Sequence, residues 1–96
     1  MAIQSFADKE VKMFFYTGRC AKECPWAPVA QLVRRKLDMV HYAKTLSDLR
    51  SPPGNRLEAL RGSLRGRQSV RVNDRWRIVL RWTPAGPHEV DVCDYH

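Results

Sequence analysis

The sequence predicts an α+β fold, two helices first and a sheet after them, and three observations carry that prediction. Apolar residues recur at helical spacing through Trp26, Val29, Ala30, Val33, Leu37 and Val40. They recur at every second residue through Val70 and Val72, and again through Trp76, Ile78, Leu80 and Trp82. Between the two regimes lies Ser51-Pro52-Pro53-Gly54-Asn55, a stiff breaker with two prolines and a glycine. With 96 residues the chain has room for one domain, 1–96, built around one modest core.

Taken in order, Ala2 to Phe6 is a short apolar start that reads as an edge strand. Asp8 then caps a helix running to about Tyr16, its carboxylate accepting from the first-turn amides, and Gly18 suits the far end. Val11, Phe14 and Phe15 supply that helix's apolar stripe. The second helix spans about Pro25 to Ala43, with Arg34, Arg35, Lys36, Asp38 and His41 facing water, and a short helical turn follows at Thr45 to Leu49. Arg56 to Leu60 is the first strand of the sheet. Asn73-Asp74 forms a hairpin turn, and Thr83 to Pro87, with His88 in the loop, leads to a last strand through Val90 and Val92.

Composition removes several classes of function. An apolar content of 44% is too high for a disordered basic tail. No apolar run approaches the ~20 residues that span a bilayer, and the N-terminus lacks the charged-then-apolar pattern of a signal peptide. These observations predict a cytoplasmic protein without a membrane partner. Cys20, Cys24 and Cys93 have no second pair or nearby His to complete a zinc site, so the expectation is free thiols, no metal and no cofactor.

The charge is concentrated. The formal net charge is +7, and twelve Arg outnumber five Lys. From Arg56 to Arg81 eight Arg face only two acids, Glu58 and Asp74. Successive strand side chains point to opposite faces. Trp76, Ile78, Leu80 and Trp82 therefore pack against the helices, while Arg75, Arg77 and Arg81 share the other face with Arg71. Guanidinium groups match phosphate oxygens and stay charged at every relevant pH, so this face predicts contact with phosphate.

Three separated blocks carry a family resemblance: Pro52-Pro53-Gly54-Asn55-Arg56-Leu57-Glu58-Ala59-Leu60-Arg61-Gly62, then Ser69-Val70-Arg71-Val72-Asn73-Asp74-Arg75-Trp76-Arg77-Ile78, then the terminal Asp94-Tyr95-His96. In this order and spacing they resemble the HigB toxins, the GraT-like branch in particular, of the RelE/ParE superfamily of type II toxin–antitoxin systems. Ile3-Gln4-Ser5-Phe6, Phe14-Phe15 and Gly18 also fit, so the resemblance covers nearly the whole chain. It implies a RelE/ParE-like α+β fold, with two N-terminal helices packed on a twisted, mainly antiparallel sheet. It further implies cleavage of translated messenger RNA in the decoding site of the 70S ribosome, and neutralisation by a HigA-like helix-turn-helix antitoxin.

Metal-free RNA cleavage of that kind drives the ribose 2′-OH onto the adjacent phosphate. One group must take the 2′ proton and another must stabilise charge on phosphorus. Arg suits the second task. Arg77, within the family's Trp-Arg-Ile pattern, and Arg61, where many relatives place Lys, are the candidates, either for the chemistry or for binding backbone alone. Glu58, Tyr95 and His96 are the candidates for proton transfer. Some HigB members carry His at the place of Glu58, which leaves a carboxylate there as base, as orienter of an Arg, or as a salt-bridge partner. His96 is the only neighbour with an ordinary pKa near neutrality. Arg56, Arg65, Arg71, Arg75 and Arg81 are the expected RNA-binding residues. The alternative function is a non-catalytic relative: a ParE-like gyrase inhibitor, or a degenerate toxin acting in a repressor complex with its antitoxin.

Overall fold

A computed structural model of the chain describes residues 2–20 and 23–94. Helix α1, Lys9–Thr17, starts where Asp8 Oδ1 accepts from the Glu10 amide, and it stops at Gly18, whose left-handed φ of 76° lets its own N–H reach the Phe14 carbonyl. Its apolar stripe, Val11, Phe14 and Phe15, is buried. Helix α2, Ala30–Tyr42, begins later than its apolar period predicts, because a 3₁₀ turn at Ala27–Val29 containing Pro28 precedes it. Val33, Leu37 and Val40 face the core, each fully buried.

Thr45 and Asp48 form a reciprocal capping box for a short 3₁₀ helix, Leu46–Arg50. The breaker is more than a loop. Pro53–Asn55 makes a further 3₁₀ turn, and Asn55, completely buried, donates to the carbonyls of Leu49 and Ser51 while accepting from Lys36 Nζ. Lys36 is thus a buried side chain, only 8% exposed, and the expectation that it faces water is corrected. Its amine reaches an acceptor nineteen residues along the chain, which helical period alone does not reveal.

Four strands follow, each antiparallel to the next in the order β1-β2-β3-β4: Glu58–Ala59, Gln68–Arg71, Trp76–Thr83 and Gly86–Asp94. Strand β1 is shorter than predicted because Arg56 sits at φ 44°, outside the extended region. The first turn takes in Arg75 as well as Asn73 and Asp74, since Asn73 Oδ1 accepts from the amides of both Arg75 and Trp76. Arg75 is therefore a turn residue and not a member of the strand face. The second turn is tight, Pro84-Ala85, so His88 lies within β4 opposite Arg81 and not in a loop. The N-terminal segment is no regular edge strand. It runs parallel to β4 with a single bridge, Phe6 to Val90, and three backbone hydrogen bonds, from the Gln4 and Ala7 amides to Pro87 and Val90 and from the Val90 amide to Ser5.

The helices contact one face of this sheet, α1 against β4 and α2 against β3 and β4. Val70, Ile78, Leu80 and Val90 on that face are fully buried, each such side chain worth about 1.5–3 kcal/mol relative to exposure. Trp76 is buried with them, and Trp82 packs half-buried at the margin. His41 is half-buried too: its ring lies against Phe15 and Tyr42, and its Nδ1 accepts from the Ile3 amide, so it is a packing residue and not plain helix surface. The opposite sheet face is left for other work. No helix among the described residues is long and apolar enough to cross a membrane.

Candidate active site

Register decides which side chains share the face away from the helices. Val70 pairs with Ile78 and both are core residues, so their neighbours Ser69, Arg71, Arg77 and Val79 point the other way. Pairing extends this into two cross-strand rows. One runs Glu58, Ser69, Val79, Asp91, and the other Arg71, Arg77, Cys93. Glu58 and Arg77, two of the residues singled out for chemistry, thus stand on one face, two strands apart and in adjacent rows.

A pocket of about 230 Å³ opens on this face. Leu60, Leu64, Val79 and Cys93 form apolar wall, and Ser69, Arg77 and Asp94 bring polar groups to it. The Nε and Nη1 atoms of Arg77 are buried, as is the Ser69 hydroxyl. An adjoining concavity of about 630 Å³ shares Leu60 and adds Glu58, Ala59 and Arg61. Arg61 stands at the start of the 3₁₀ turn Gly62–Leu64 that links β1 to β2, exposed beside Leu60. Tyr95 and His96, the other two predicted catalytic residues, lie outside the described residues.

The expected cationic face of Arg71, Arg75, Arg77 and Arg81 is corrected in its electrostatics, because acids pair with three of them. Arg71 is paired with Asp74. Arg75 Nε meets Asp94 Oδ2 at 2.9 Å, with its guanidinium 4.9 Å above the Trp76 ring. A register shift between Val79 and Arg81 bulges β4 and sets Glu89 at φ 53°, where its carboxylate meets Arg81 Nε at 3.2 Å and Arg67 at 3.4 Å. Arg81 moreover folds over Gly66, where a Cβ would lie 3.0 Å from its Nη1. The middle of the face is occupied by buried Ser69 and Val79, not by charge. Arg56, Arg61 and Arg65 are exposed on the loops flanking β1 and form no ion pair among the described residues.

Two further groups on this face were not foreseen from sequence. Burial pushes the Asp91 carboxyl above its ordinary pKa, and burial together with that carboxylate pushes the Cys93 thiol up to about 11. Cys93 donates to Asp91 Oδ2 at 3.6 Å and is a protonated, inert part of the pocket wall at neutral pH. Strand parity extended from Arg77 to its partner strands would have found Cys93 and Ser69, had the register of β2 and β4 been known. No cluster of three His, Cys, Asp or Glu side chains arranged to hold a metal ion occurs among the described residues.

A family profile described as the RelE-like toxin of the type II toxin–antitoxin system HigB matches residues 4–96. The chain belongs to the HigB-like toxin family. Toxin HigB-1 of Vibrio cholerae serotype O1 is 38% identical over 82 residues, spanning 85% of this chain and 84% of that one. An uncharacterized protein of Haemophilus influenzae is 30% identical over 79 residues, spanning 82% of this chain and 77% of its own. The protein is accordingly the toxin of a type II toxin–antitoxin system, a class defined by an antitoxin partner. The α+β architecture, two helices and a four-stranded antiparallel sheet, is compatible with a RelE-like toxin.

Proposed function

We propose that this HigB-like toxin is a ribosome-dependent endoribonuclease that cuts translated messenger RNA without a metal ion. In that reaction the ribose O2′–P bond forms and the P–O5′ bond breaks, leaving a 2′,3′-cyclic phosphate and a 5′-hydroxyl. The 2′ proton goes to a base on the protein, and the departing 5′ oxygen receives one from an acid. Arg77 and Arg61 stabilise the charge that builds on the phosphate, while Glu58, Tyr95 and His96 share proton transfer or positioning. Arg56 and Arg65, with Arg71, Arg75 and Arg81 once their acids yield, hold the backbone. The partners in this reading are the ribosome and a HigA-like antitoxin, and the site of action is the cytoplasm.

The observation that supports it most is the Arg77 guanidinium, half buried in a pocket on the face that also carries Glu58, in a chain of this toxin family. A guanidinium partly removed from water interacts with a phosphoryl charge more strongly than one on an open surface.

The test is to add purified toxin to translating ribosomes and map the messenger 5′ ends. Discrete new ends are expected from the native toxin. Arg77→Ala should lower cleavage by about a hundredfold or more, with an unchanged circular dichroism spectrum. Intact transcripts at stoichiometric toxin, above all together with inhibited gyrase supercoiling, would replace the nuclease reading by the gyrase one.

A further inference from the structure

An open sheet has two edges, and among the described residues only one edge of this sheet is closed. The N-terminal segment runs along β4 and holds it through the Phe6–Val90 bridge and three backbone hydrogen bonds. Strand β1 is the other edge, and no described strand pairs with its outer side. Register says which groups it offers there. The Leu60 amide donates to the Arg67 carbonyl at 2.9 Å, and Glu58 stands opposite Ser69. Hydrogen-bonded and non-hydrogen-bonded pairs alternate along an antiparallel ladder. Glu58 and Leu60 therefore bond inward to β2, while Ala59, opposite Gln68, turns its N–H and C=O outward. A donor and an acceptor side by side on an open edge are the template on which a further strand pairs.

The space in front of that edge is open. The concavity of about 630 Å³ lined by Glu58, Ala59, Leu60 and Arg61 follows the strand itself. Ala59 is exposed and has no long side chain to block a neighbour. Gly54 and Gly62, on the loops before and after β1, each have nothing within 4 Å of the place a Cβ would take. Charge then selects the occupant. Arg56, Arg61 and Arg65 are exposed around the edge and form no ion pair among the described residues. A second copy of this chain, edge to edge, would bring these guanidiniums against their own kind and is repelled. RNA phosphates suit the arginines but meet the Ala59 carbonyl with like polarity, whereas a peptide backbone answers both outward groups. We propose that the β1 edge docks an extended acidic segment of a partner protein, which adds a fifth strand beside Ala59 and sets its carboxylates against Arg56, Arg61 and Arg65. That strand covers Glu58 and Arg61. The docking is independent of the nuclease reading, and only its consequence, that the bound segment shuts off cleavage, rests on it.

The probe is a capped hexapeptide of alternating Glu and Val, titrated into isotope-labelled native toxin and followed by NMR. A Lys–Val peptide and a Glu–Val peptide N-methylated at alternate residues are the controls. The Glu–Val peptide is expected to shift the Ala59 amide and to slow its exchange with solvent about tenfold at saturation. The N-methylated peptide keeps the charge but cannot pair its backbone, and it should bind about tenfold more weakly, as should the native peptide to Ala59→Pro. Proline there removes the outward N–H and leaves the inward bonds of Glu58 and Leu60, so the Ser69 amide should keep its protection in that variant. An Ala59 amide unmoved at about 1 mM peptide, or equal binding of the N-methylated peptide, overturns the added strand. Equal binding of the Lys–Val peptide overturns the acidic partner, and an Ala59 amide moved by a short single-stranded RNA but not by the peptide replaces it with an RNA contact. On translating ribosomes the bound peptide should suppress messenger cleavage, and undiminished cleavage at saturation overturns the shut-off. A peptide that binds a toxin which cuts no messenger leaves the docking standing and removes the nuclease reading.

Discussion

Single residues in this toxin divide into those that hold the fold and those that face the substrate, and Lys36 shows how sharp the division is. It is cationic and in a basic protein, yet its amine is spent on Asn55 inside the molecule. Burial, reinforced by Arg35 and Arg71, lowers its pKa. Asn55→Ala would strand that ammonium and remove the donor from the Leu49 and Ser51 carbonyls. A loss of about 2–4 kcal/mol in chemical denaturation is expected, with no contribution from the substrate face. Asp91 makes the opposite case, a carboxyl whose burial raises its pKa in the folded state. From about pH 4 up to that raised value the folded chain keeps a proton that the unfolded chain has lost, so Asp91 makes stability fall as pH rises through the window. Above it the cost is complete. Asp91→Asn should remove this fall and raise the melting temperature at neutral pH, as read by thermal scans across the acid range. At the site itself Arg77→Lys is expected to be nearly as inactive on translating ribosomes as Arg77→Ala, since a point charge does not reproduce the planar fork.

Among the elements, the β3–β4 pair decides how much of the positive charge is available. Its bulge places Glu89 between Arg67 and Arg81 and so withdraws two of the eight arginines of the basic block. Glu89→Gln keeps the shape and the positive φ while releasing both guanidiniums. Affinity for a short single-stranded RNA in fluorescence anisotropy should then rise by about two- to fivefold at low salt, the scale of a partly exposed ion pair. Nothing in the local sequence announces this, because Glu89 finds its partners only through a one-residue shift in strand register. The same limit explains most of what the sequence left hidden. Asp8, Gly18, the stripe of α2 and the alternation in β3 are local signals, and each element they predict is present. Arg56 in a left-handed conformation, Asn55 as an internal hub and Ser69 on a pocket wall depend on contacts between distant segments. The family resemblance, together with what Arg and Glu can do chemically, marked Arg77, Arg61 and Glu58 as candidates. The pocket beside them became visible only with the pairing of all four strands.

For the molecule as a whole, a net charge of +7 overstates what a nucleic acid would meet. Of the eight arginines between Arg56 and Arg81, Arg67, Arg71, Arg75 and Arg81 each hold an acidic side chain. Arg56, Arg61 and Arg65 stand on the loops around β1, and Arg77 lies at the pocket. The four that hold these acids sit toward the strand ends and turns, so the remaining exposed arginines, Arg56, Arg61 and Arg65, are gathered on the β1 side of the sheet face. Counterion release turns this distribution into a number. For single-stranded RNA the slope of log affinity against log salt is roughly −0.7 for each phosphate neutralised, so four contacts give about −3 and all eight would give about −6. A slope near −3 is expected for the native toxin between about 50 and 200 mM salt, steepening in Glu89→Gln as Arg67 and Arg81 join the interface. A native slope near −6 would mean that phosphates displace Glu89, Asp74 and Asp94 together, and that the ion pairs are a resting arrangement which RNA dissolves on contact.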